Sequence, residues 1–131
     1  MDFHHIGLIV DNLDKGKNYL ESLVSNLVWS DIYNDLNIGV TVMFGTSTEG
    51  MRYELIVPLG TDSPISNHLA TKGNMLHHIA YIVENFEEKR TELRTLKFIP
   101  LGEPKSAVAF NGKKVAFFLT PIRTIIEIVE K

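Results

Sequence analysis

The sequence predicts an α+β fold in which one unit, a strand followed by a helix and three strands (βαβββ), occurs twice. Two segments carry the same double histidine, apolar strand and acidic-Asn turn: "HHIGLIVDNL" at 4–13 and "HHIAYIVENF" at 77–86. Their offset of 73 residues also pairs Glu54, in "RYELIV", with Glu127, in "TIIEIV". A single shift that aligns histidines and distant glutamates indicates a duplicated module.

The repeat divides the chain into two modules within one domain. We predict a single domain over 1–131, with modules at 1–58 and 75–131 and a linker at 59–74. A length of 131 residues is ordinary for one domain and allows a core without disulfides. Most of the linker consists of turn residues. We also predict a short helix over 64–71 within it, with His68 exposed on that helix.

The first module begins with a strand over 3–10, where apolar, aromatic and β-branched residues end at Asp11 and Asn12. Apolar residues at helical spacing then predict a helix over 12–25, with Asn12 or Asp11 as its N-cap. Three strands follow, separated by Asn, Asp and Gly-rich turns, near 28–34, 38–45 and 51–57.

The second module repeats this order. A strand at 76–83 leads into a helix at 85–97. The remaining strands are predicted near 98–103, 107–111, 114–120 and 124–130. Between the middle two, "FNGKK" predicts a tight turn, because Asn-Gly tolerates positive φ at both central positions.

Composition excludes several classes of protein. The net charge of −3 gives no basic surface for nucleic acid or an anionic membrane, and the sequence contains no cysteine. The N-terminal segment has no basic region before an apolar run, and no stretch approaches the roughly 20 apolar residues of a membrane span. We therefore expect a cytoplasmic protein without nucleic-acid or membrane partners.

Strand alternation separates the paired histidines. His5 shares a strand face with Gly7, and His78 shares one with Ala80, so each lies beside a very small residue, as an open site requires. His4 and His77 are predicted on the opposite, helix-covered face, where they pack or end the strand.

Glu54 and Glu127 each interrupt an apolar strand, where a buried carboxylate is costly without a partner. Two carboxylates and the imidazoles of His5 and His78, at equivalent positions of a repeat, satisfy one another most simply by sharing a cation. Two alternatives stay open from the residues alone. They are two His–Glu ion pairs without a metal, and glutamates on a solvated sheet face.

These segments resemble the vicinal oxygen chelate superfamily, which includes glyoxalases, bleomycin-resistance proteins and dioxygenases. Within it, "HHIGLIVDNLD", the long block from "YELIVPLG" to "HHIAYIVEN", and "GKKVAFFLTP" with "IIEIVE" are similar to methylmalonyl-CoA epimerases and small bacterial glyoxalase I-like proteins. The resemblance implies a half-open barrel and one divalent metal ion (Ni, Co, Zn, Mn or Fe). It also implies metal ligands at His5, Glu54, His78 and Glu127.

The resemblance further implies a metal-dependent isomerase or lyase that removes a proton α to a carbonyl, from a small carbonyl or thioester substrate. Glu127 is the first candidate for the base and Glu54 is its repeat-related partner. Two segments differ from the epimerase pattern: the loop "TPIRT" is shorter, and "NIGVTVMFG" lacks a carboxylate. We therefore expect weak activity on methylmalonyl-CoA.

Two further hypotheses stay open. One is a non-enzymatic, resistance-type module that binds a small molecule, although such proteins generally lack the metal-ligand quartet. The other is a catalytic relative acting on a natural-product or sugar-derived substrate. Because an open sheet leaves unpaired edges that proteins cover or pair, and members of the superfamily are mostly dimers, we expect a homodimer.

Overall fold

The computed structural model describes residues 1–131 as one mixed sheet of ten strands with three α-helices. The strands are β1 Asp2–Ile9, β2 Val28–Trp29, β3 Tyr33–Asp35, β4 Val40–Thr46, β5 Arg52–Pro58, β6 Met75–Val83, β7 Ile99–Pro100, β8 Lys105–Ser106, β9 Lys114–Leu119 and β10 Ile125–Glu130. The helices are α1 Leu13–Leu23, α2 Ser66–Lys72 and α3 Phe86–Thr95, with a 3₁₀ helix at Val108–Phe110.

The sheet is built outward from a central antiparallel pair, β1 and β6. Strand β1 runs parallel to β5, and β6 runs parallel to β10, so the two halves extend in the same way on either side. The order along the sheet is β2-β4-β5-β1-β6-β10-β9-β7, with β3 on β4 and β8 on β9. Its ends do not meet, which confirms the predicted α+β fold with an open sheet.

Helices α1 and α3 pack on the sheet through short apolar stripes. Helix α1 begins after Asn12, whose side chain accepts a hydrogen bond from the Lys15 backbone N–H at 3.0 Å, a cap that lies where one was predicted. It buries Leu20 in a cluster with Leu55. Helix α3 buries Phe86 and Leu93 against residues of β9 and β10. None of the helices combines the length and apolarity needed to cross a membrane.

The segment predicted as a strand at 107–111 is not a strand. Residues Val108–Phe110 form the 3₁₀ helix instead, and the turn that follows has positive φ at Asn111 (57°) and Gly112 (83°). The reason is a non-local contact: the buried Asp35 carboxylate accepts a hydrogen bond from the Val108 N–H at 2.9 Å. That bond satisfies a backbone donor away from the sheet ladder.

Candidate metal centre and cavity

Two rows of paired residues cross the middle of the sheet and carry the predicted ligands. In the first row, Phe44 pairs with Glu54, Glu54 with Gly7, and Gly7 with His78. The second row contains the repeat equivalents in the reverse order, namely His5, Ala80, Glu127 and Phe117. Directly paired residues share a face of a sheet, so all four predicted ligands point to the same side.

Small residues at the centre of each row make room for the imidazoles. A Cβ added at Gly7 would lie 2.2 Å from the Cε1 atom of His78, so the ring occupies the volume that a side chain would need. In the second row, the fully buried Ala80 lies opposite His5. The small residue beside each histidine in the sequence therefore accommodates the ring of the histidine from the other half.

The two glutamates both approach the paired imidazoles of His5 and His78. The Nε2 atoms of His5 and His78 are 3.1 Å apart. The Oε1 atom of Glu54 lies 3.3 Å from His5 Nε2 and 3.4 Å from His78 Nε2. The corresponding distances from Glu127 Oε1 are 3.2 and 3.4 Å. With metal–ligand bonds of about 2.1 Å, adjacent ligand atoms are about 3.0 Å apart in an octahedral shell and about 3.4 Å apart in a tetrahedral one.

The chemistry of these atoms fits a cation. All four residues are buried, with relative exposures of 0% for His5, 3% for His78, 6% for Glu54 and 5% for Glu127. His5, Glu54 and His78 form a compact trio whose ligand atoms lie within 4.8 Å of one another, a group that does not include Glu127. Glu127 Oε1 is nevertheless a buried oxygen whose only close donors are the two imidazole Nε2 atoms, at 3.2 and 3.4 Å, and such an oxygen suits a cation ligand.

Without a metal, the cluster balances charge with protons. Burial opposes the charged form of His5, but the Glu54 carboxylate and hydrogen bonding to Glu127 outweigh it and raise the pKa of His5 to about 9. Hydrogen bonding to the same carboxylates likewise raises the pKa of His78 against the effect of burial. Burial alone would raise the pKa of Glu54, but charged His5 lowers it to about 2, and the two imidazoles also lower the pKa of Glu127.

The prediction for His4 and His77 is wrong. The pairing of β1 with β6 skips one residue at His4 and one at His77, so each is the extra residue of a β-bulge. The bulges turn both side chains toward their neighbours: Nδ1 of His4 lies 2.8 Å from Nδ1 of His5, and Nδ1 of His77 lies 2.8 Å from Nδ1 of His78. Strict alternation had placed them on the helix-covered face.

The same burial affects how these two histidines titrate. Burial, followed by the positive charge of His5 and Arg52, lowers the pKa of His4 to about 4. Burial, followed by the positive charge of His78 and His68, lowers the pKa of His77 to about 4. Both imidazoles are therefore neutral at neutral pH.

A cavity of about 280 Å³ opens beside the cluster, and Glu54, His78 and Glu127 form part of its wall. Much of the remaining wall is aliphatic, including Ile38, Val40, Val42, Ile56, Ile65 and Val115. His68 also lines the cavity and is half-buried, so the prediction that it is exposed is wrong.

Two cavity residues, His77 and Asp35, were not recognised from the sequence. His77 reaches the cavity because of its bulge, and Phe110 because it belongs to the 3₁₀ helix. Asp35 lies there with both carboxylate oxygens already bonded to backbone N–H groups of Ile38 and Val108. Phe44 and Phe117 are related by the same repeat offset of 73 and occupy equivalent places in the two rows.

The fold and this cluster define a class of protein. The family model for the glyoxalase/bleomycin resistance protein/dioxygenase superfamily matches residues 4–117. The chain belongs to this superfamily, as its sequence resemblance indicated.

Individual relatives carry epimerase names. The chain is 28% identical over 115 residues, 87% of its length, to mitochondrial methylmalonyl-CoA epimerase of Mus musculus, and the match spans 63% of that protein. It is 36% identical over 80 residues to an ethylmalonyl-CoA/methylmalonyl-CoA epimerase of Cereibacter sphaeroides, a match that covers 60% of this chain and 59% of that protein. The chain thus spans less than two thirds of the length of either relative.

A solved structure shares the fold across nearly its whole length. A substituted form of Streptomyces coelicolor methylmalonyl-CoA epimerase, in complex with 2-nitronate-propionyl-CoA, aligns with a TM-score of 0.81 at 19% identity. The alignment covers 100% of this chain and 97% of that one.

Proposed function

We propose that the protein binds one divalent metal ion through His5, Glu54, His78 and Glu127 and uses it to remove a proton α to a carbonyl group. The position of each carboxylate oxygen, 3.2–3.4 Å from both imidazole Nε2 atoms, which are themselves 3.1 Å apart, carries this proposal. Two neutral imidazoles and two carboxylates leave no net charge with a divalent ion, and such a mixed set suits Ni, Co, Zn, Mn or Fe.

The division of roles follows from the donor atoms. A bound divalent ion supplies a Lewis acid for the substrate carbonyl oxygen and for the negative charge that develops when the adjacent C–H loses its proton. Glu127, with its carboxylate released from the metal, would be the base that takes this proton, and Glu54 is its equivalent from the other half. Return of the proton to the same carbon gives epimerisation, whereas return to the neighbouring carbon gives the glyoxalase-type isomerisation.

The cavity wall supports a glutamate as the base. Val40 and Val42, from the strand in "NIGVTVMFG", line the cavity with aliphatic side chains, so this strand offers no carboxylate there. The aliphatic wall also suits a short acyl group attached to the reacting carbonyl. We propose a thioester of a branched short-chain acyl group as the substrate class. The names of the epimerase relatives, and the acyl-CoA analogue in the structural neighbour, support this class.

Metal content is the first test. Protein purified without chelator, and protein reloaded with Zn²⁺, Co²⁺ or Ni²⁺ and desalted, should contain about one divalent ion per chain by elemental analysis. His5→Ala should lose both the metal and the activity. A metal content near zero after both preparations would contradict the proposal.

The reaction is tested by exchange of the α-proton with solvent deuterium, first on methylmalonyl-CoA and then on the hemithioacetal of methylglyoxal and glutathione. Glu127→Gln should keep most of the metal, because an amide oxygen still ligates, but lose about 10²–10⁴-fold in rate, as is typical when a general base is removed. Glu54→Gln is the matched variant. Full activity in Glu127→Gln would transfer the role of base to Glu54.

The binding-module alternative predicts a different result. A resistance-type protein would bind an apolar small molecule in the cavity without metal-dependent exchange of any carbonyl compound. Absence of exchange with the metal-loaded protein, together with tight binding of such a molecule, would favour that alternative.

A further inference from the structure

The two bulged histidines have no role in the ligand quartet, yet each contacts one of its imidazoles. We propose that His4 and His77 are positioning residues that accept the Nδ1–H hydrogen bonds of His5 and His78 and so fix the tautomer in which both Nε2 atoms face the cation. This inference rests on the proposed metal site.

The direction of each hydrogen bond follows from the atoms available. A contact of 2.8 Å between two imidazole nitrogens requires one proton between them. His5 and His78 direct Nε2 toward the two carboxylates, and an Nε2 atom that ligates a cation keeps its lone pair free. The proton of each neutral ligand imidazole is then on Nδ1, so the neighbouring Nδ1 atom is the acceptor.

The β-bulges explain how consecutive residues can form these contacts. In a regular strand, His4 and His5 would point to opposite faces of the sheet. One extra residue at His4, and one at His77, places each pair of imidazoles on the same side. A β-bulge occurs at equivalent positions of both halves, which argues that the two bulges serve both ligand histidines.

Neighbouring rings hold the two acceptors in place. The His4 ring lies 6.3 Å from that of Phe44 and 5.4 Å from that of Phe110. The His77 ring lies 6.1 Å from that of Phe117 and 5.4 Å from that of His68. Metal-bound histidines commonly donate their second N–H to a carboxylate, a carbonyl or water, and loss of such a partner typically weakens metal binding about 10–100-fold.

Variants of His4 and His77 distinguish the effect of losing the hydrogen-bond acceptor from the effect of losing the imidazole ring. In an Asn side chain, Oδ1 occupies the place that Nδ1 has in His, whereas Leu offers no acceptor. We expect His4→Leu and His77→Leu to weaken Zn²⁺ affinity about 10–100-fold each. The Asn variants should recover most of this loss, because they restore an acceptor without restoring the imidazole ring. Equal losses in the Leu and Asn variants would overturn the proposal.

Nitrogen NMR gives a readout independent of activity and of metal affinity. In the Zn²⁺-loaded protein, long-range ¹H–¹⁵N correlations should identify His5 and His78 as Nδ1–H tautomers, and His4 and His77 as Nε2–H tautomers. Protonation of His4 or His77 on Nδ1 would overturn the proposal. If Zn²⁺ does not bind, the proposed function fails by itself, and the same spectrum of the metal-free protein decides the roles of His4 and His77.

Discussion

At the scale of single residues, the candidate metal centre depends on the lack of a side chain at Gly7. Gly7 forms the floor beneath the His78 imidazole, and an added Cβ would meet three atoms of that ring at 2.2–2.6 Å. We predict that Gly7→Ala displaces His78 and weakens Zn²⁺ affinity about 10–100-fold, as loss of ligand orientation does. Isothermal titration with Zn²⁺ measures this effect.

The repeat supplies the matched control for this variant. Ala80→Gly makes the second row of the sheet resemble the first, and it removes a methyl group without creating a clash opposite His5. We expect it to retain Zn²⁺ affinity within a few-fold. If Gly7→Ala bound Zn²⁺ as tightly as Ala80→Gly, the close fit between Gly7 and His78 would not be required.

At the scale of elements, Asp35 connects the two halves of the sheet. Its buried carboxylate accepts hydrogen bonds from the N–H of Ile38 at 3.0 Å and from that of Val108 at 2.9 Å. The second bond holds the 3₁₀ helix that carries Phe110, whose ring stacks against His5 at 6.1 Å. This single side chain therefore helps to keep one wall of the cavity in place.

We predict that Asp35→Ala destabilises the protein by about 1–3 kcal/mol, because two backbone donors lose their acceptor. Urea unfolding measures the loss, and amide exchange at Val108 should accelerate more than exchange in β6. Asp31→Ala, at an exposed position, is the control and should change neither quantity. Unchanged exchange at Val108 in Asp35→Ala would show that the 3₁₀ helix is held by other contacts.

The elements also show what the sequence could and could not predict. Period-two and helical patterns, with Asn12 as a cap, are local signals, so the long strands and helices were predicted close to their observed positions. The bulges at His4 and His77 were not predictable, because a bulge is defined by the register between two strands that are 73 residues apart. The 3₁₀ helix was missed for a similar reason, since Asp35 stabilises it from the other half of the chain.

At the scale of the whole molecule, the ends of the sheet favour association. The two end strands, β2 and β7, have two residues each and expose apolar side chains, with Val28 72% and Ile99 55% exposed. Pairing or covering such edges is the usual solution, so we predict a homodimer. Light scattering should give twice the 14.8 kDa mass of one chain, and a monomer mass at micromolar concentration would contradict the prediction.

The cluster formed by His5, Glu54, His78 and Glu127 also determines how the stability of the metal-free protein depends on pH. The pKa of His5 is raised from 6.5 to about 9, and that of His78 is raised as well, so the folded state binds more protons than the unfolded chain above pH 6.5. The contribution of His5 to the free energy of unfolding is complete below pH 6.5 and is lost as the pH rises through about 9, and His78 contributes in the same direction.

Below pH 6.5, the free energy of unfolding instead decreases as the pH falls. The pKa of His4 and that of His77 are lowered from 6.5 to about 4, so the folded state resists their protonation and stability falls as the pH drops through this range. The pKa of Glu54 is lowered from 4.5 to about 2, and its contribution is lost as the pH falls further. We therefore predict that the metal-free protein is most stable near pH 6.5. Urea unfolding in chelator from pH 3 to 10 measures this, and a stability that kept rising from pH 7 to 9 would contradict the charged His–Glu cluster.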